Sequence, residues 1–156
     1  MEGHMPRTMF QVLIIPFRRT AAGIEYAALK RSDCGAWQGV AGGGEDNESA
    51  AEAALREVAE ETGLADGIKL YRLKTNCSIP ITYFAEAVTW PPGTYVIQEY
   101  AFALDCTGRA IDLSEEHEDI RWGTFEEINS LLTYDSNRTA LWELSERLRL
   151  DDLHLA

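Results

Sequence analysis

Residues 42–64 read GGGEDNESAAEAALREVAEETGL and join a run of glycines to a segment rich in carboxylates. Ser49 followed three residues later by Glu52 is a capping-box pattern, which satisfies free backbone amides at a helix start. Gly63 supplies the left-handed residue that commonly ends a helix. The sequence therefore predicts a helix from about residue 50 to residue 62.

The predicted helix has two different faces. Helical spacing places four residues in one stripe, which is expected to be buried: Ala51, Leu55, Val58 and Thr62. The carboxylates share another face: Glu57, Glu60 and Glu61. Like charges at this spacing repel one another, so a cation is expected among them. Hard oxygen ligands favour Mg²⁺, with Mn²⁺ as the alternative.

Three glycines precede this helix: Gly42, Gly43 and Gly44. A backbone without Cβ atoms can turn sharply and approach a ligand closely, and a phosphate chain is the obvious ligand. Taken one at a time, the same residues fit a solvated acidic helix after a flexible loop. The complete string argues against that interpretation.

The string reads Gly-x5-Glu-x7-Arg-Glu-Val-x-Glu-Glu-x-Gly-Leu, and it resembles the Nudix box. This box is the signature of hydrolases that cleave a nucleoside diphosphate linked to another moiety. Every defining position matches. One neighbouring position departs from the usual pattern, because Ala41 stands where many members have proline; the change removes no chemical group.

The resemblance implies roles for the box residues. Glu57, Glu60 and Glu61 would bind the divalent cations, and Arg56 would anchor the box through an ion pair with one of its glutamates. Glu48 is either a structural partner of that arginine or an outer metal contact. Both alternatives stay open at this point.

A second acidic stretch spans residues 113–122, LSEEHEDIRW. As a pattern alone it fits a solvated polar loop. It also resembles the Glu-His-x-x-x-x-Trp segment of several Nudix pyrophosphohydrolases. That resemblance implies that Glu116, next to His117, is a further metal ligand or the base that deprotonates the attacking water, with Glu115 as the alternative.

Two further segments indicate a substrate class. Trp37–Gln38 and residues 134–142 look like the Nudix subgroup that acts on dihydroneopterin triphosphate or dATP. This similarity implies release of pyrophosphate from a pterin or purine nucleoside triphosphate. Trp37 or Tyr100 could stack on the ring, although core packing is the default for an aromatic residue. Lys30 and Arg31 could help to neutralise the phosphates, and a plain surface role is their alternative.

Two other functions remain open. One is hydrolysis of a dinucleoside polyphosphate or of ADP-ribose, which would use the same metal-binding face. The other is a non-catalytic, nucleotide-sensing module on the same fold. Such a module would be expected to have lost some metal-binding glutamates, and none is missing from the box.

Length and composition fit one domain. The chain has 156 residues, of which 46% are hydrophobic, enough to bury a core. Residues 1–5 are interpreted as a remnant left by cloning, and residues 6–156 as a single Nudix domain. No apolar run is long enough to cross a bilayer. The three cysteines are odd in number and lack CxxC spacing, so we expect unpaired thiols and a cytoplasmic location.

The formal net charge of -12 argues against binding to a nucleic-acid duplex, which needs a clustered basic surface. A small polyphosphate escorted by a metal ion remains acceptable. The acidic surface neither requires nor excludes a homodimer.

Alternating and amphipathic patterns outside the box predict the remaining elements. Strands are expected at residues 10–17, 24–31, 68–75, 82–87, 95–106 and 120–122. Helices are expected at residues 125–132 and 138–150, the second with three leucines inward: Leu141, Leu144 and Leu148. This order predicts an α/β protein with a sheet between helices, and the family resemblance implies the α/β/α Nudix fold with a mixed sheet.

Overall fold

The computed structural model describes residues 7–156, so the interpretation of residues 1–5 lies outside the described part. Its strands are β1 (Arg7–Thr20), β2 (Gly23–Arg31), β3 (Trp37–Gln38), β4 (Val40–Glu45), β5 (Lys69–Pro80), β6 (Val96–Asp105) and β7 (His117–Gly123). Its helices are α1 (Ala50–Thr62), α2 (Phe125–Leu131) and α3 (Asp135–Arg149).

The strands form one mixed sheet in the order β3-β2-β1-β6-β5, with β4 paired to β1 and β7 paired to β2. β1 and β6 run parallel, and the other pairs are antiparallel. β1 is long enough to have β4 beside its first half and β2 beside its second half. It therefore connects the two parts of the sheet.

Hydrophobic residues pack on both faces of the sheet. One cluster joins Leu13 and Phe17 of β1 to Leu141 and Leu144 of α3. The other cluster joins Val12 and Ile14 of β1 to Val58 and other residues of α1. Because successive β1 residues point to opposite faces, one strand supplies both cores. This arrangement confirms the α/β class and the sheet between helices.

The expected buried stripe of α1 is wrong at Leu55, which is 43% exposed. Val58 and Thr62 are fully buried, and Ala51 is partly buried against the core. Ala53 and Ala54 lie against the sheet instead. Their small side chains let the helix approach closely, and this rotation turns Glu57 and Glu61 inward as well.

The strand expected at residues 82–87 is also wrong. Two short 3₁₀ turns occupy this region, Ile81–Tyr83 and Ala85–Thr89. A hydrogen bond from the Ile81 amide to the Tyr95 carbonyl, 3.1 Å long, ties the two ends of the segment together. We call residues 80–95 the rim segment.

The other elements lie close to their expected positions. β5 extends to Pro80, farther than expected, because its pairing with β6 resumes after an irregularity between Arg72 and Asn76. α3 begins three residues earlier than expected, at Asp135. Leu141 and Leu144 are fully buried, and Leu148 is partly buried against the core.

Within residues 7–156, no helix combines the length and apolarity that a bilayer crossing requires. The three cysteines carry free thiols: Cys34 is exposed, Cys77 partly buried and Cys106 buried.

Candidate active site

Helix α1 begins and ends as its sequence predicts. The Ser49 side chain accepts a hydrogen bond from the Glu52 amide at 3.1 Å, and the Glu52 carboxylate accepts one from the Ser49 amide at 2.8 Å. Gly63 ends the helix with φ 75°, a left-handed conformation that glycine adopts without strain. These caps fix the start of α1 next to the glycines of β4.

Arg56 joins the glycine strand to the helix. Its Nε and Nη2 donate to the two carboxylate oxygens of Glu48 at 2.8 and 3.0 Å. Nη2 also donates to the Gly43 carbonyl at 2.8 Å. Nη1 donates to Glu57 at 3.0 Å and to Glu60 at 3.2 Å. A planar guanidinium suits this task because it presents several donors in one rigid fork.

Glu48 serves as a structural partner in this arrangement. Besides the two bonds from Arg56, it accepts a hydrogen bond from the Glu45 amide at 2.7 Å. The hydrogen bond from Arg56 holds the pKa of Glu48 below its usual value. Its oxygens are therefore occupied in stabilising the loop before α1.

Gly42 makes room for the carboxylate of Glu57. A Cβ atom at Gly42 would lie 2.2 Å from the Glu57 carboxyl carbon, which is far closer than atoms can pack. The Glu57 side chain is buried in that position. Burial raises the pKa of Glu57 to about 7, although Arg56 opposes the shift. Glu57 is thus a carboxyl group that takes up or releases a proton near neutral pH.

The glycines do not form the sharp turn that was expected. They belong to strand β4, and Gly42 and Gly43 pair with Val12 and Gln11 of β1. A Cβ atom at Gly44 would lie 2.1 Å from the ring of Phe10. The absent side chains therefore serve close packing within the protein, and the backbone of the three glycines still lines the cleft described below.

Glu61 is buried rather than exposed. The Ser114 hydroxyl donates to its Oε1 atom, and the Nδ1 atom of His117 lies 3.1 Å from the same oxygen. Only 2% of Glu61 is accessible to solvent. Burial raises the pKa of Glu61, but hydrogen bonds with His117, Glu116 and Ser114 outweigh it, so that the net shift is downward.

Glu116 completes this cluster. A hydrogen bond with Glu61 is the main cause that raises the pKa of Glu116 to about 7, and partial burial adds to it. The two carboxyl groups therefore hold one proton between them at lower pH. The loop residue expected to be a ligand or base lies beside the helix carboxylates, next to His117.

The carboxylates fit a divalent cation by their chemistry, although they do not form a ready-made cage. Among residues 7–156, no three acidic, histidine or cysteine side chains are grouped as a metal site. Arg56 supplies positive charge through its contacts with Glu57 and Glu60. The carboxylate oxygens of the cluster are the ligands that a divalent cation such as Mg²⁺ prefers.

A cleft of about 1130 Å³ opens beside this helix. Box residues line one end: Gly42, Gly43, Gly44, Arg56, Glu57 and Glu60. Glu116 and Arg31 also line the cleft, and Arg31 donates two hydrogen bonds to Asp33 at 2.8 and 2.9 Å. Glu61 lies behind this surface, against His117.

Three side chains predicted to bind substrate contact other parts of the protein. Lys30 forms an ion pair with Glu118 at 3.2 Å. Trp37 lies under the guanidinium of Arg121, with 5.3 Å between the guanidinium carbon and the ring centroid. Tyr100 packs edge-on against Phe10. Their contribution to substrate binding stays a prediction.

The far end of the cleft includes residues of the two segments that indicated a substrate class, Gln38, Ser136 and Asn137, and other residues that the sequence did not single out. Gln11, Gln38, Ser78, Glu99, Ser136 and Asn137 line it, together with Tyr83, Phe84, Glu86 and Thr89 of the rim segment. They come from five strands and helices and the rim segment, and share no spacing. Glu99 was not singled out, although a charged residue among apolar positions in β6 was a signal for it.

Comparison with known proteins agrees with this geometry. The NUDIX domain family model matches residues 10–144. The crystal structure of a protein assigned to the Nudix hydrolases from Listeria monocytogenes has 44% sequence identity and a TM-score of 0.84, and the alignment covers 94% of this chain and 98% of that one. The chain belongs to the Nudix family.

Two more distant structures share the Nudix fold. The dihydroneopterin triphosphate pyrophosphohydrolase of E. coli has 24% identity and a TM-score of 0.73, covering 91% of this chain and 99% of that one. A binary complex of the C. elegans Ap4A hydrolase has 18% identity and a TM-score of 0.71, covering 91% and 98%. No match was found among curated proteins.

As a Nudix hydrolase, the protein is a pyrophosphohydrolase that acts on acid anhydrides. Nudix hydrolases generally use divalent metal ions. Of the carboxylates expected to bind such an ion, Glu57, Glu60 and Glu116 line the cleft, and Glu61 lies behind them.

Proposed function

We propose that this Nudix hydrolase cleaves a phosphoanhydride bond in a nucleoside or pterin triphosphate and releases pyrophosphate. The cation that we propose is Mg²⁺, with Mn²⁺ as the alternative. One observation carries the proposal: carboxylates fixed by Arg56 line a cleft that is also lined by uncharged polar side chains such as Gln11, Gln38 and Asn137. The volume, about 1130 Å³, suits a nucleotide-sized ligand.

The carboxylates would divide the chemical work. Glu57, Glu60 and Glu61 would hold Mg²⁺, with Glu116 as a further ligand or as the base. When bound, Mg²⁺ lowers the pKa of a water molecule and neutralises phosphate charge. Glu116 is suited to accept a proton at neutral pH because its own pKa is raised to about 7.

Arg56 is assigned a positioning role in this proposal. Its guanidinium contacts Glu48, Glu57 and the Gly43 carbonyl, so it fixes the helix relative to the glycine strand. Arg31 is the residue that we propose to contact a substrate phosphate, because it lines the cleft and lies near Glu116.

A substrate panel tests the proposal. Purified protein is incubated with Mg²⁺ and, separately, dihydroneopterin triphosphate, each deoxynucleoside triphosphate, diadenosine polyphosphates or ADP-ribose, and the products are separated and identified. We expect a triphosphate to be converted to the monophosphate and pyrophosphate. Turnover of ADP-ribose alone, or of no compound, would contradict the proposal, and the second result would favour the sensor function.

A dinucleoside polyphosphate is the second candidate substrate, and the rim segment favours it. Tyr83 lines the cleft, and 68% of this residue is exposed. An exposed ring at the mouth of the cleft could stack on a second base outside it. Turnover of diadenosine polyphosphates above that of all triphosphates would select this candidate.

We also propose that the reaction takes place in the cytoplasm. The unpaired thiols support this, because Cys34 is exposed and would be subject to oxidation in a secreted protein. Localisation of a tagged chain by microscopy or fractionation tests it.

A further inference from the structure

Glu99 is a charged residue on a strand face that is otherwise apolar. Ile97, Ala101 and Ala103 lie on the same face of β6 as Glu99, and all of them are buried. Glu99 itself is only 5% exposed, yet it lines the cleft. A carboxylate at a core position needs an explanation, because burying a charge opposes folding unless other groups compensate for it.

Polar but uncharged groups surround the Glu99 carboxylate. The Cys77 thiol donates to Oε1 at 3.7 Å, and the Gln11 and Ser136 side chains also donate to the carboxylate. Among residues 8–156, no lysine or arginine forms an ion pair with it. Burial raises the pKa of Glu99, while these three donors oppose the shift. The three donors stabilise the Glu99 carboxylate as a hydrogen-bond acceptor. The contact with the Cys77 thiol is weak enough to be exchanged for a ligand.

Strand register relates Glu99 to the catalytic end of the cleft. Gly43 pairs with Gln11, Gln11 pairs with Glu99, and Glu99 pairs with Cys77, so these residues form one row across four strands. Neighbouring strands are about 4.8 Å apart, which puts Glu99 about 10 Å from Gly43. This is the order of the distance from the phosphate nearest a nucleoside to the far edge of its ring.

The two oxygens of the Glu99 carboxylate favour one pattern of hydrogen-bond donors on a substrate ring. An ionised carboxylate offers two oxygens side by side, which match two adjacent N–H donors. A 2-amino-4-oxo ring, as in guanine or a pterin, presents such a pair on its ring N–H and its amino group. Adenine presents a donor beside an acceptor, and thymine presents one donor between two acceptors.

We propose that Glu99 is the specificity-determining residue of the cleft and that it binds the 2-amino-4-oxo edge of a guanine or pterin ring. The inference rests on the proposed triphosphate hydrolysis and narrows its substrate class. Glu99 contacts the ring and takes no part in the bond cleavage near α1.

The variant Glu99→Gln tests the inference with little change in shape. It replaces one of the two acceptors by a donor, so the carboxamide matches adenine and mismatches guanine. We expect kcat/KM for dGTP and dihydroneopterin triphosphate to fall about tenfold to a hundredfold, while that for dATP stays unchanged or rises. The matched control is Glu126→Gln, which makes the same atomic change at an exposed position on α2.

The quantity that decides the test is the ratio of kcat/KM for dGTP to that for dATP in each variant. A fall in the ratio for Glu99→Gln, with no change for Glu126→Gln, supports the proposal. An unchanged ratio, or a wild-type protein that prefers dATP, overturns it. A comparison of dGTP with dihydroneopterin triphosphate in the wild-type protein identifies which of the two rings is used.

Failure of the proposed function can be told apart from failure of this inference. If no triphosphate is hydrolysed, binding of the rings alone is measured by titration with guanosine, adenosine and the fluorescent ring compound neopterin. Binding of guanosine or neopterin that is lost in Glu99→Gln supports the ring site even without turnover. Equal binding of adenosine, or no binding of any ring, overturns it. Glu99→Asp, which keeps both acceptors, provides a second variant if Glu99→Gln does not fold.

Discussion

The two ends of the cleft are built in different ways. At the proposed metal end, most of the functional residues come from one short segment, with Glu116 added from the loop before β7. Arg56 ties that segment together through Glu48, Glu57 and the Gly43 carbonyl. At the ring end, Gln11, Glu99 and other residues come from distant parts of the chain and meet only through strand pairing. Chemistry common to a family can reside in a local motif, whereas the selectivity that we propose would depend on the assembled sheet.

The largest effect is expected from Glu61→Gln at the metal end. The change removes a charge that we assign to cation binding, so kcat should fall about 10²- to 10³-fold for every substrate. Steady-state kinetics with Mg²⁺ would measure this, and Glu126→Gln again serves as the control. Because Ser114 and His117 contact Glu61, the thermal unfolding temperature should be measured for the same variant. Activity close to that of the wild type would remove Glu61 from the site.

Arg56→Ala should have the next largest effect. It leaves Glu57 buried without its cation and removes the bonds to Glu48 and Gly43. We expect the free energy of unfolding to fall by about 2–4 kcal/mol, measured by urea denaturation. Arg56→Lys keeps the charge but lacks the planar fork, so it should recover only part of the loss. Arg149→Ala, which breaks an exposed pair with Glu146, should change the free energy of unfolding far less. Equal losses in Arg56→Ala and Arg149→Ala would contradict the role of Arg56.

Gly42→Ala, compared with Gly44→Ala, separates the effect of tight packing on stability from its effect on catalysis. The new methyl group would collide with the Glu57 carboxylate, so both activity and stability should fall, the latter by about 1–3 kcal/mol. Gly44→Ala is the matched variant, because its methyl group would collide with Phe10 instead. We expect a comparable loss of stability but a smaller loss of kcat in folded Gly44→Ala protein. If the two variants lost activity equally, the fit between Gly42 and Glu57 would not be specific to function.

The smallest expected effect is a dependence of metal binding on pH. Burial raises the pKa of Glu57 to about 7, above its value in the unfolded chain. The protonated group therefore stabilises the metal-free fold in full below about pH 4.5. This contribution to the free energy of unfolding is lost as the pH rises to about 7. Glu116, raised to about 7 by its bond with Glu61, acts in the same direction. Added Mg²⁺ should therefore raise the unfolding temperature by a few degrees more at pH 8 than at pH 6. Thermal scans with and without Mg²⁺ at both pH values measure the difference. A metal effect that is independent of pH would show that these carboxyl groups do not compete with protons for the ion.

Sequence reasoning was most successful where structure depends on near neighbours. The capping box at Ser49 and the stop at Gly63 depend on residues within one turn of the helix, and both were confirmed. The buried stripe was wrong at Leu55, because α1 buries Ala53 and Ala54 against the sheet, and periodicity alone cannot show this rotation. Glu99 was missed for a similar reason, since its neighbours Gln11 and Cys77 become neighbours only when the strands pair.

The closed base of the rim segment has a practical consequence. The hydrogen bond between the Ile81 amide and the Tyr95 carbonyl holds the two ends of this segment together. The residues between them could therefore be exchanged, or the segment lengthened, at a modest entropic cost. The pairing of β5 with β6 would stay in place. Tyr83, Phe84, Glu86 and Thr89 would change with the segment, and α1 would not. Grafting segments of other lengths between β5 and β6 is therefore a direct way to test whether the rim segment sets the range of substrates, with α1 left unaltered.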